Sequence, residues 1–352
     1  MRIILTGGGT AGHIWPIIFI AQSLQKNKHN KILYVGSRQG IEKKLAKDFQ
    51  IPFKTVLSGK RRAYFSFSNF WDFFKIFAGI FEAFFILLFF RPEIIFAKGG
   101  YVTVPMIFWL KFFKIPLVIH ESDTVMGRAN LWALKYAQKV CLGFPIEYYT
   151  GQNLPVGKLI YTGIPVHPDF TQTAIKTGER QQILITGGSQ GSSKINDLIF
   201  QILPDLANRF EIWHLSGERD FEKLSGFKNP HYHLFSFSYQ MPKFMRDADL
   251  VISRAGASTL MEIAATGKAS ILIPLETAAG EHQEANAQVF QKLNAAVVVS
   301  EKSLTASSLK TIIDNLIDDE PMRNLLGHHA HSLFQPKAAE EIVDCLFEVA
   351  KK

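Results

Sequence analysis

The pattern that most limits what this chain can fold into is a strand, a glycine loop and a helix in immediate succession, and it occurs twice. Arg2–Thr6 is a short apolar run, Gly7–Gly12 is a glycine-rich loop, and Ile14–Leu24 has apolar residues at helical spacing ahead of a second strand, Lys31–Val35. Gln182–Thr186, Gly187–Gly191 and Ser192–Leu206 repeat that order in the second half. Further strands are expected at Glu93–Ala97, Pro116–His120, Glu211–Leu215, His231–Phe235, Leu250–Ser253 and Ser270–Pro274, and a helix at Lys337–Ala350. Strands alternating with helices build parallel βαβ units. The expected fold class is therefore α/β, with two Rossmann-like domains and a cleft between them. Ligands of open parallel sheets gather at the carboxyl ends of the strands. Tyr161–Pro168, with two prolines and a glycine, is the expected linker.

Charge divides the chain in the same place. Residues 1–163 carry 21 basic and 8 acidic side chains, whereas residues 164–352 carry 18 and 23. The overall charge of +8 thus hides a basic first part and an acidic second part, and 19 of the 30 phenylalanines fall in the basic part. Cys141 and Cys345, far apart in the sequence, exclude a disulfide framework and a cysteine-rich zinc site and fit a reducing compartment. No signal peptide is expected, because Met1-Arg-Ile-Ile-Leu-Thr6 runs straight into a strand and a glycine loop.

The phenylalanines concentrate in residues 63–90, AYFSFSNFWDFFKIFAGIFEAFFILLFF. From Phe73 to Phe90 only Lys75 and Glu82 are charged, and their spacing puts them on one helix face opposite Phe73, Phe77, Ile80, Phe84 and Leu87. Three readings are open. A transmembrane helix would have to tolerate both charges and would cut a βαβ unit. A buried core helix is the structural alternative. The favoured reading is an interfacial helix on an anionic bilayer, because Lys60, Arg61, Arg62, Arg91 and the WLKFFK segment at 109–114 flank the aromatics. Phe73, Phe77, Phe81, Phe84, Phe85, Phe89 and Phe90 are its expected membrane contacts. Nucleic acid is disfavoured, since the basic residues flank a greasy surface and do not alternate with stacking aromatics.

Gly7-Gly-Gly-Thr-Ala-Gly12 fits G-x-G-x-x-G, a weak dinucleotide signal. The acidic residue that would hold a ribose is missing from the end of the second strand, which reads Val35-Gly-Ser-Arg38. No Gly-Lys-Ser/Thr follows, so a P-loop is excluded. What survives is a backbone able to approach a diphosphate or a sugar at a helix N-terminus. His13 lies in the first helical turn, where the positive end of the helix disfavours an imidazolium and biases the ring toward the form a general base needs; a purely structural bond to a loop carbonyl is the alternative. Ser189 and Gln190 add polar groups to the second glycine loop, which is otherwise a tight turn. Thr259-x-x-Glu262 fits either a capping box or a carboxylate on two ribose hydroxyls. His328, His329 and His331 lack metal-ligand spacing and read as a solvated loop.

Taken together, GGGTAGHIWP (7–16), KGGYVTVP (98–105), HESD with GRAN (120–130), GGSQG (187–191), SRAGASTLMEIAATG (253–267) and HQEANA (282–287) resemble the MurG family of bacterial peptidoglycan synthesis. The motifs occur in the family's order over nearly the whole chain. The resemblance implies a GT-B glycosyltransferase that moves GlcNAc from UDP-GlcNAc to the C4 hydroxyl of MurNAc in undecaprenyl-diphospho-MurNAc-pentapeptide, with inversion. Residues 1–163 would form the acceptor-binding, membrane-associating domain. Residues 164–352 would form the UDP-GlcNAc domain, with the last helix packing back toward the first. Thr10, Ala11 and Gly12 would face the donor sugar and acceptor diphosphate, and His13 is the family's candidate base. Ser189 would contact the donor, and Ser238 falls where a main-chain group reads uracil. Ala257, Ser258, Thr259, Leu260, Met261 and Glu262 would hold diphosphate and ribose, and Gln283 the GlcNAc hydroxyls. The implied place is the cytoplasmic face of the plasma membrane, peripherally attached, beside other cell-wall synthesis proteins.

Two departures stand out. Asp123 replaces the Asn common in the family's motif, turning a donor into an acceptor at a sugar contact. His167 stands where Arg commonly follows Gly-Ile-Pro-Val, a titrating group in place of a fixed cation that pairs with diphosphate. No cofactor is expected, and no Asp-x-Asp pair of the metal-dependent kind is read, so no obligatory cation either. Two rival functions are an NAD(P)-dependent oxidoreductase, from the first glycine loop, and a non-catalytic membrane scaffold that kept a sugar-nucleotide fold.

Overall fold

The computed structural model describes the chain except residues 10, 39, 60–67, 150, 174–178, 277–280 and 352, and except the side chains of 11 and 68–74. Two compact units share the chain: Met1–Pro165 with Gln335–Lys352, and Val166–Phe334.

The first unit has a seven-stranded, all-parallel sheet of β1 (Arg2–Thr6), β2 (Lys31–Ser37), β3 (Phe53–Val56), β4 (Ile94–Ala97), β5 (Leu117–Glu121), β6 (Lys139–Leu142) and β7 (Leu159–Tyr161), in the spatial order β3-β2-β1-β4-β5-β6-β7. Its helices are α1 (Ala11–Gln25), α2 (Glu42–Asp48), α3 (Ser68–Phe90), α4 (Thr103–Phe108), α5 (Leu110–Phe113) and α6 (Arg128–Ala133). Parallel sheets covered on both faces need near-continuous apolar strands. β1, β4 and β5 meet that need: every residue of β4 and β5, and all of β1 but Arg2, is buried. Strand order reverses between β1 and β4, so the loops after these two strands meet at the point where an open α/β sheet binds ligands. They meet backbone to backbone: a Cβ on Gly100, whose φ is +83°, would lie 2.7 Å from the Gly8 carbonyl oxygen.

The second unit repeats the design with six parallel strands, β8 (Gln182–Thr186), β9 (Glu211–Leu215), β10 (Tyr232–Phe235), β11 (Leu250–Ser253), β12 (Ser270–Leu272) and β13 (Val297–Val298), in the order β10-β9-β8-β11-β12-β13. α7 (Ser193–Arg209), α8 (Glu218–Leu224), α9 (Met241–Asp247), α10 (Ala257–Thr266), α11 (Glu281–Lys292), α12 (Ala306–Asp318) and α13 (Glu320–His331) cover it. Its order reverses between β8 and β11, the strands that carry the second glycine loop and the SRAG segment.

The final helix, α14 (Ala338–Ala350), belongs to the first unit. Ile342, Val343, Cys345, Leu346 and Val349 share a core with Ile3, Leu5, Ile17, Phe96 and Cys141. The two cysteines, remote in sequence, therefore lie in one apolar cluster, both as free buried thiols. The histidines read as a solvated loop sit instead in α13. His329 Nδ1 lies 3.0 Å from the Asn294 carbonyl oxygen and His331 Nδ1 2.9 Å from that of Ala264. The backbone helix absorbed them because Asp319 caps it and Pro321 sits in its first turn.

Candidate active site

In the first unit the site grows from the loops after β1, β4 and β5. Thr10 lies outside the described residues. Gly12 and His13 are half-buried in the first turn of α1, which starts at Ala11, three residues before its sequence pattern does. The glycine loop is held from below: Gly9 N donates to Glu42 Oε1 at 3.1 Å, Ser37 Oγ donates to the same oxygen at 2.9 Å, and Tyr34 Oη donates to the Gly7 carbonyl at 3.0 Å. A carboxylate thus takes a loop amide that a dinucleotide phosphate would use, which argues physically against the oxidoreductase reading.

Lys98, the first residue after β4, is 1% exposed. Its ammonium donates to Ser122 Oγ and to His120 Nδ1, the latter at 2.8 Å. An ammonium has no acceptor, so Nδ1 accepts and the His120 proton sits on Nε2, which donates to the Gly163 carbonyl at 2.8 Å. Burial first, and Lys98 next, hold the His120 imidazole well below its usual range; His13 acts on it in the same direction, so the two rings are electrostatic neighbours. Glu121 accepts from Gly127 N and Asn130 Nδ2, both at 2.9 Å, and from Asp123 N at 3.1 Å. Burial, then the Asp123 charge, raise its carboxyl. Asp123 itself is half-buried.

In the second unit the loop after β8 crosses that after β9 so closely that a Cβ on Gly191, φ +71°, would meet the Ser216 carbonyl oxygen at 2.2 Å. Ser189 is exposed at its tip. α10 starts at Ala257 behind an extended Gly256 and has no side-chain cap. The Thr259–Glu262 capping box therefore does not form: the helix begins three residues too early for Thr259 to be its N-cap. Its N-cap makes no side-chain hydrogen bond to the first turn. Leu260 and Met261 are core residues, 0% and 1% exposed, so their expected contact with diphosphate reduces to main chain. Glu262 is half-buried, and burial pushes its carboxyl up to about 8. Gln283 Oε1 accepts from Leu275 N at 3.1 Å, so its NH2 is the group it can offer a sugar hydroxyl. Ser238, in the loop after β10, accepts from Gln240 N at 3.0 Å. His167 Nδ1 accepts from Asp169 N at 3.2 Å, and Arg246 donates to the Asp169 carbonyl, bringing a guanidinium to the same turn.

Sequence reasoning passed over Arg254. Its buried guanidinium donates to the carbonyls of Ile273 and Pro274 at 3.0 and 3.2 Å, to Ser192 Oγ at 2.7 Å, and to Glu301. It ties the loops after β8, β11 and β12 together. Glu42 and Lys98 were passed over too. The chain also contains Asp247-Ala-Asp249, an Asp-x-Asp pair, but it precedes β11 at the amino end of the sheet, where Asp249 Oδ2 accepts from Gln182 N at 2.9 Å. Among the described residues no group of three His, Cys, Asp or Glu side chains is placed to hold a metal ion.

α3 presents Phe77, Phe81, Phe85 and Phe89, 56, 55, 52 and 76% exposed, with Phe108 and Phe112 of α4 and α5 exposed as well. These four α3 residues are among the seven expected contacts; the other described members of that set, and part of the expected helix face, turn away from solvent. Leu87 is buried, and Phe84 turns onto Trp109, Phe112 and Phe113 at centroid distances of 5.0, 6.2 and 5.5 Å, while Phe90 is half-buried. Glu82 sets the rotation: it accepts from Leu57 N at 2.7 Å and pairs with Arg38, pinning its side of the helix to the unit. The side chain of Phe73 lies outside the described residues. Beside the stripe is an open depression of about 540 Å³ lined by Lys43, Lys54 and Phe85 among others. Among the described residues no helix is long and apolar enough to cross a membrane.

Residues 3–142 match the glycosyltransferase family 28 N-terminal domain and residues 182–342 the C-terminal domain of that family. The chain is 37% identical over 331 residues, 91% of each chain, to the UDP-N-acetylglucosamine–N-acetylmuramyl-(pentapeptide) pyrophosphoryl-undecaprenol N-acetylglucosamine transferase of Lachnoclostridium phytofermentans. It is 31% identical over 367 residues to the enzyme of the same name from Listeria monocytogenes serotype 4b, covering both chains fully. The crystal structure of Acinetobacter baumannii MurG superposes with a TM-score of 0.78 at 25% identity over 99% of both chains. With such matches along its whole length and both sheets in the family's fold, the chain belongs to the MurG family of N-acetylglucosaminyltransferases, within glycosyltransferase family 28.

Proposed function

We propose that this chain moves GlcNAc from UDP-GlcNAc to the C4 hydroxyl of MurNAc in undecaprenyl-diphospho-MurNAc-pentapeptide, the first unit holding the acceptor and the second the donor. The observation that carries this reading is positional. Within each unit the glycine loop and its partner motif follow the two strands that flank the reversal of strand order, β1 with β4 and β8 with β11.

His13 takes the proton of the C4 hydroxyl as that oxygen attacks the anomeric carbon. The new C–O bond forms as the bond to the diphosphate breaks, so configuration inverts and UDP leaves with the electron pair. Thr10, Ala11 and Gly12 take the family's role at this loop, toward the donor sugar and the acceptor diphosphate. The uncapped first turn of α10, Ala257 to Thr259, offers backbone N–H groups to the developing charge. Glu262 accepts from the two ribose hydroxyls, Gln283 donates to the GlcNAc, Ser189 contacts the donor, and the main chain at Ser238 reads uracil. Asp123 accepts from an acceptor sugar hydroxyl. Arg246 supports this reading at His167: it supplies a fixed cation to the turn where the family commonly has Arg.

Phe77, Phe81, Phe85 and Phe89 rest on the cytoplasmic face of the plasma membrane, with Lys43 and Lys54 beside them to meet anionic headgroups. The lipid-linked acceptor is thereby met where it resides.

The test is transfer of labelled GlcNAc to a short-chain lipid-linked acceptor. His13→Ala is expected to lower kcat by about a hundredfold to ten-thousandfold. Near-normal turnover of that variant would remove the base role and leave the reaction; no transfer by the unaltered chain would remove the reaction itself.

A further inference from the structure

The second unit holds a line of buried polar side chains beside its glycine loop. His214 of β9 is 0% exposed, and Asn196 of α7 and Ser216 after β9 are 1% exposed. The His214 ring lies between two partners: Nε2 is 3.0 Å from Asn196 Oδ1, and Nδ1 is 3.0 Å from Tyr232 Oη. Asn196 Nδ2 donates to the Ser216 carbonyl at 3.0 Å and to Asp220 Oδ2 at 2.8 Å. Ser193 Oγ donates to the same Asp220 oxygen at 2.7 Å. Side chains from β9, β10, α7 and α8 are thus joined in one network. Each proton in it has one place. The Ser216 carbonyl and the Asp220 carboxylate accept, so the Asn196 nitrogen faces them and its oxygen faces His214. An amide oxygen only accepts, so the His214 proton sits on Nε2. Burial, the leading cause, lowers the imidazole to about 4, so the ring is neutral near physiological pH and Nδ1 accepts from Tyr232 Oη. Flipping the imidazole or the amide would set like against like.

The network ends at the second glycine loop. The Ser216 carbonyl that Asn196 holds is the one against which Gly191 packs, where a Cβ on Gly191 would lie 2.2 Å away. A Cβ on Gly217 would in turn lie 2.9 Å from the Gln190 carbonyl oxygen. Backbone meets backbone there with no side chain between, so a shift of Ser216 is passed to Gly191. The glycine loop's own backbone ties are local: Gly191 N donates to the Gly188 carbonyl at 3.0 Å, and Gly188 N to Thr186 Oγ1 at 3.2 Å. Ser216 is held by its N–H to the Phe235 carbonyl at 3.0 Å and by the Asn196 amide on its own carbonyl. Ser189, read above as a contact of the nucleotide sugar, is exposed at the tip of the loop so supported.

We propose that His214 is a positioning residue for UDP-GlcNAc: its Nε2–H fixes the Asn196 amide, the amide holds the Ser216 carbonyl, and that carbonyl sets the Gly187–Gly191 loop where Ser189 meets the nucleotide sugar. This rests on the reading of the second unit as the one that binds UDP-GlcNAc. It goes beyond that reading by naming a buried residue that touches no substrate and acts through another. It also assigns the role to one ring nitrogen, Nε2, and leaves Nδ1 to hold Tyr232.

The experiment separates the two ring nitrogens in the full chain. His214→Gln places an amide nitrogen near Nε2 and keeps donation to Asn196. His214→Asn reaches only as far as Nδ1, keeps an acceptor for Tyr232 Oη and loses the bond to Asn196. Both remove the ring, so both should lower Tm. UDP-GlcNAc binding is measured by calorimetry at a temperature well below both melts. His214→Asn is expected to raise the dissociation constant about tenfold, and His214→Gln by no more than about threefold. In the transfer assay the acceptor KM should stay within about twofold of the parent for both. A second readout needs no ligand: amide hydrogen exchange at residues 187–191 should be at least about threefold faster in His214→Asn than in His214→Gln. Asn196→Ala cuts the same link one step on and should match His214→Asn in both readouts, which keeps the test decisive if His214→Asn does not fold. Equal weakening by the two His214 substitutions, or equal exchange, would make His214 a folding residue only and overturn the proposal. So would parental binding by Asn196→Ala, or an acceptor KM that rises as far as the dissociation constant. If the unaltered chain bound no UDP-GlcNAc while exchange still told the variants apart, the hold on the loop would stand, but the reading of the second unit would fall and the proposal with it.

Discussion

With Glu262 assigned to the donor ribose, UDP-GlcNAc should bind this protein more tightly as pH rises, because that carboxyl starts out protonated. Burial pushes Glu262 up to about 8 in the unliganded chain. A carboxylic acid offers one good acceptor, whereas a diol presents two hydroxyl donors, so the bound form is the carboxylate, stabilised by both bonds. Binding then expels a proton. For a group raised above the working pH, the ionised fraction at about pH 6 is about one hundredth, and at about pH 8 one half. The dissociation constant should therefore fall about fifty-fold between those values, or about 2 kcal/mol, with about tenfold per pH unit at the acid end. The sign follows from proton count: the free protein binds more protons than the complex, so raising pH favours the complex. Calorimetry of UDP-GlcNAc binding near neutral pH, in two buffers with different ionisation enthalpies, measures the proton directly. About 0.9 proton should be released per ligand bound. The donor's phosphodiesters do not titrate there, so the proton comes from the protein. Glu262→Gln should abolish the release and flatten the pH dependence while weakening binding at the alkaline end. A release that survives Glu262→Gln, or a dissociation constant indifferent to pH, would refute the assignment of Glu262 to the ribose.

Three other outcomes are expected. Replacing Phe77, Phe81, Phe85 and Phe89 together with serine should release the protein from anionic vesicles in a flotation assay while leaving its melting temperature nearly unchanged, because all four side chains are largely exposed; unchanged flotation would refute the membrane reading. Arg254→Met strands Glu301 and two loop carbonyls, a loss of about 3–5 kcal/mol, and should lower Tm by about 6–20 °C and raise the donor KM; a melt within about 2 °C of the parent would show that the clamp carries no weight. Transfer should persist in EDTA, since helix amides are assigned the leaving charge; loss of activity restored by manganese would overturn that assignment.

What the sequence makes legible follows from how each strand is buried. Gln182–Thr186 and Leu250–Ser253 lie at the centre of the second sheet and are buried along their whole length, so they read as apolar runs with the bounds they have in the fold. β3, β7 and β13 escape notice because they are short and only half-buried, which leaves no pattern against the surrounding loops. The site divides in the same way. His13, Ser189, Glu262 and Gln283 are visible because they sit in glycine-rich or helix-opening motifs. Glu42, Lys98 and Arg254 are not, since a buried charge looks like a surface charge until its partners, tens of residues away in the chain, are brought beside it. The Thr259–Glu262 spacing misleads because two positions both satisfied the capping rule's surroundings, and an extended Gly256 took the earlier one. The face opposite Lys75 and Glu82 does not predict the exposed stripe, because Glu82 turns inward to an amide and an arginine.

The placement of α14 also has a temporal consequence. On a ribosome the residues of the second unit are all available before Ile342, Val343, Leu346 and Val349 emerge to fill the first unit's core. At bacterial-to-eukaryotic elongation rates the wait after residue 165 is on the order of ten to forty seconds. During that interval the half that was made first is the half left unfinished, with a face of β1, β4 and α1 open and the greasy α3 already synthesised. Domain order in the gene and order of folding are thus reversed in this chain, and a nascent chain that stalls late exposes its oldest hydrophobic surface to chaperones or to the bilayer.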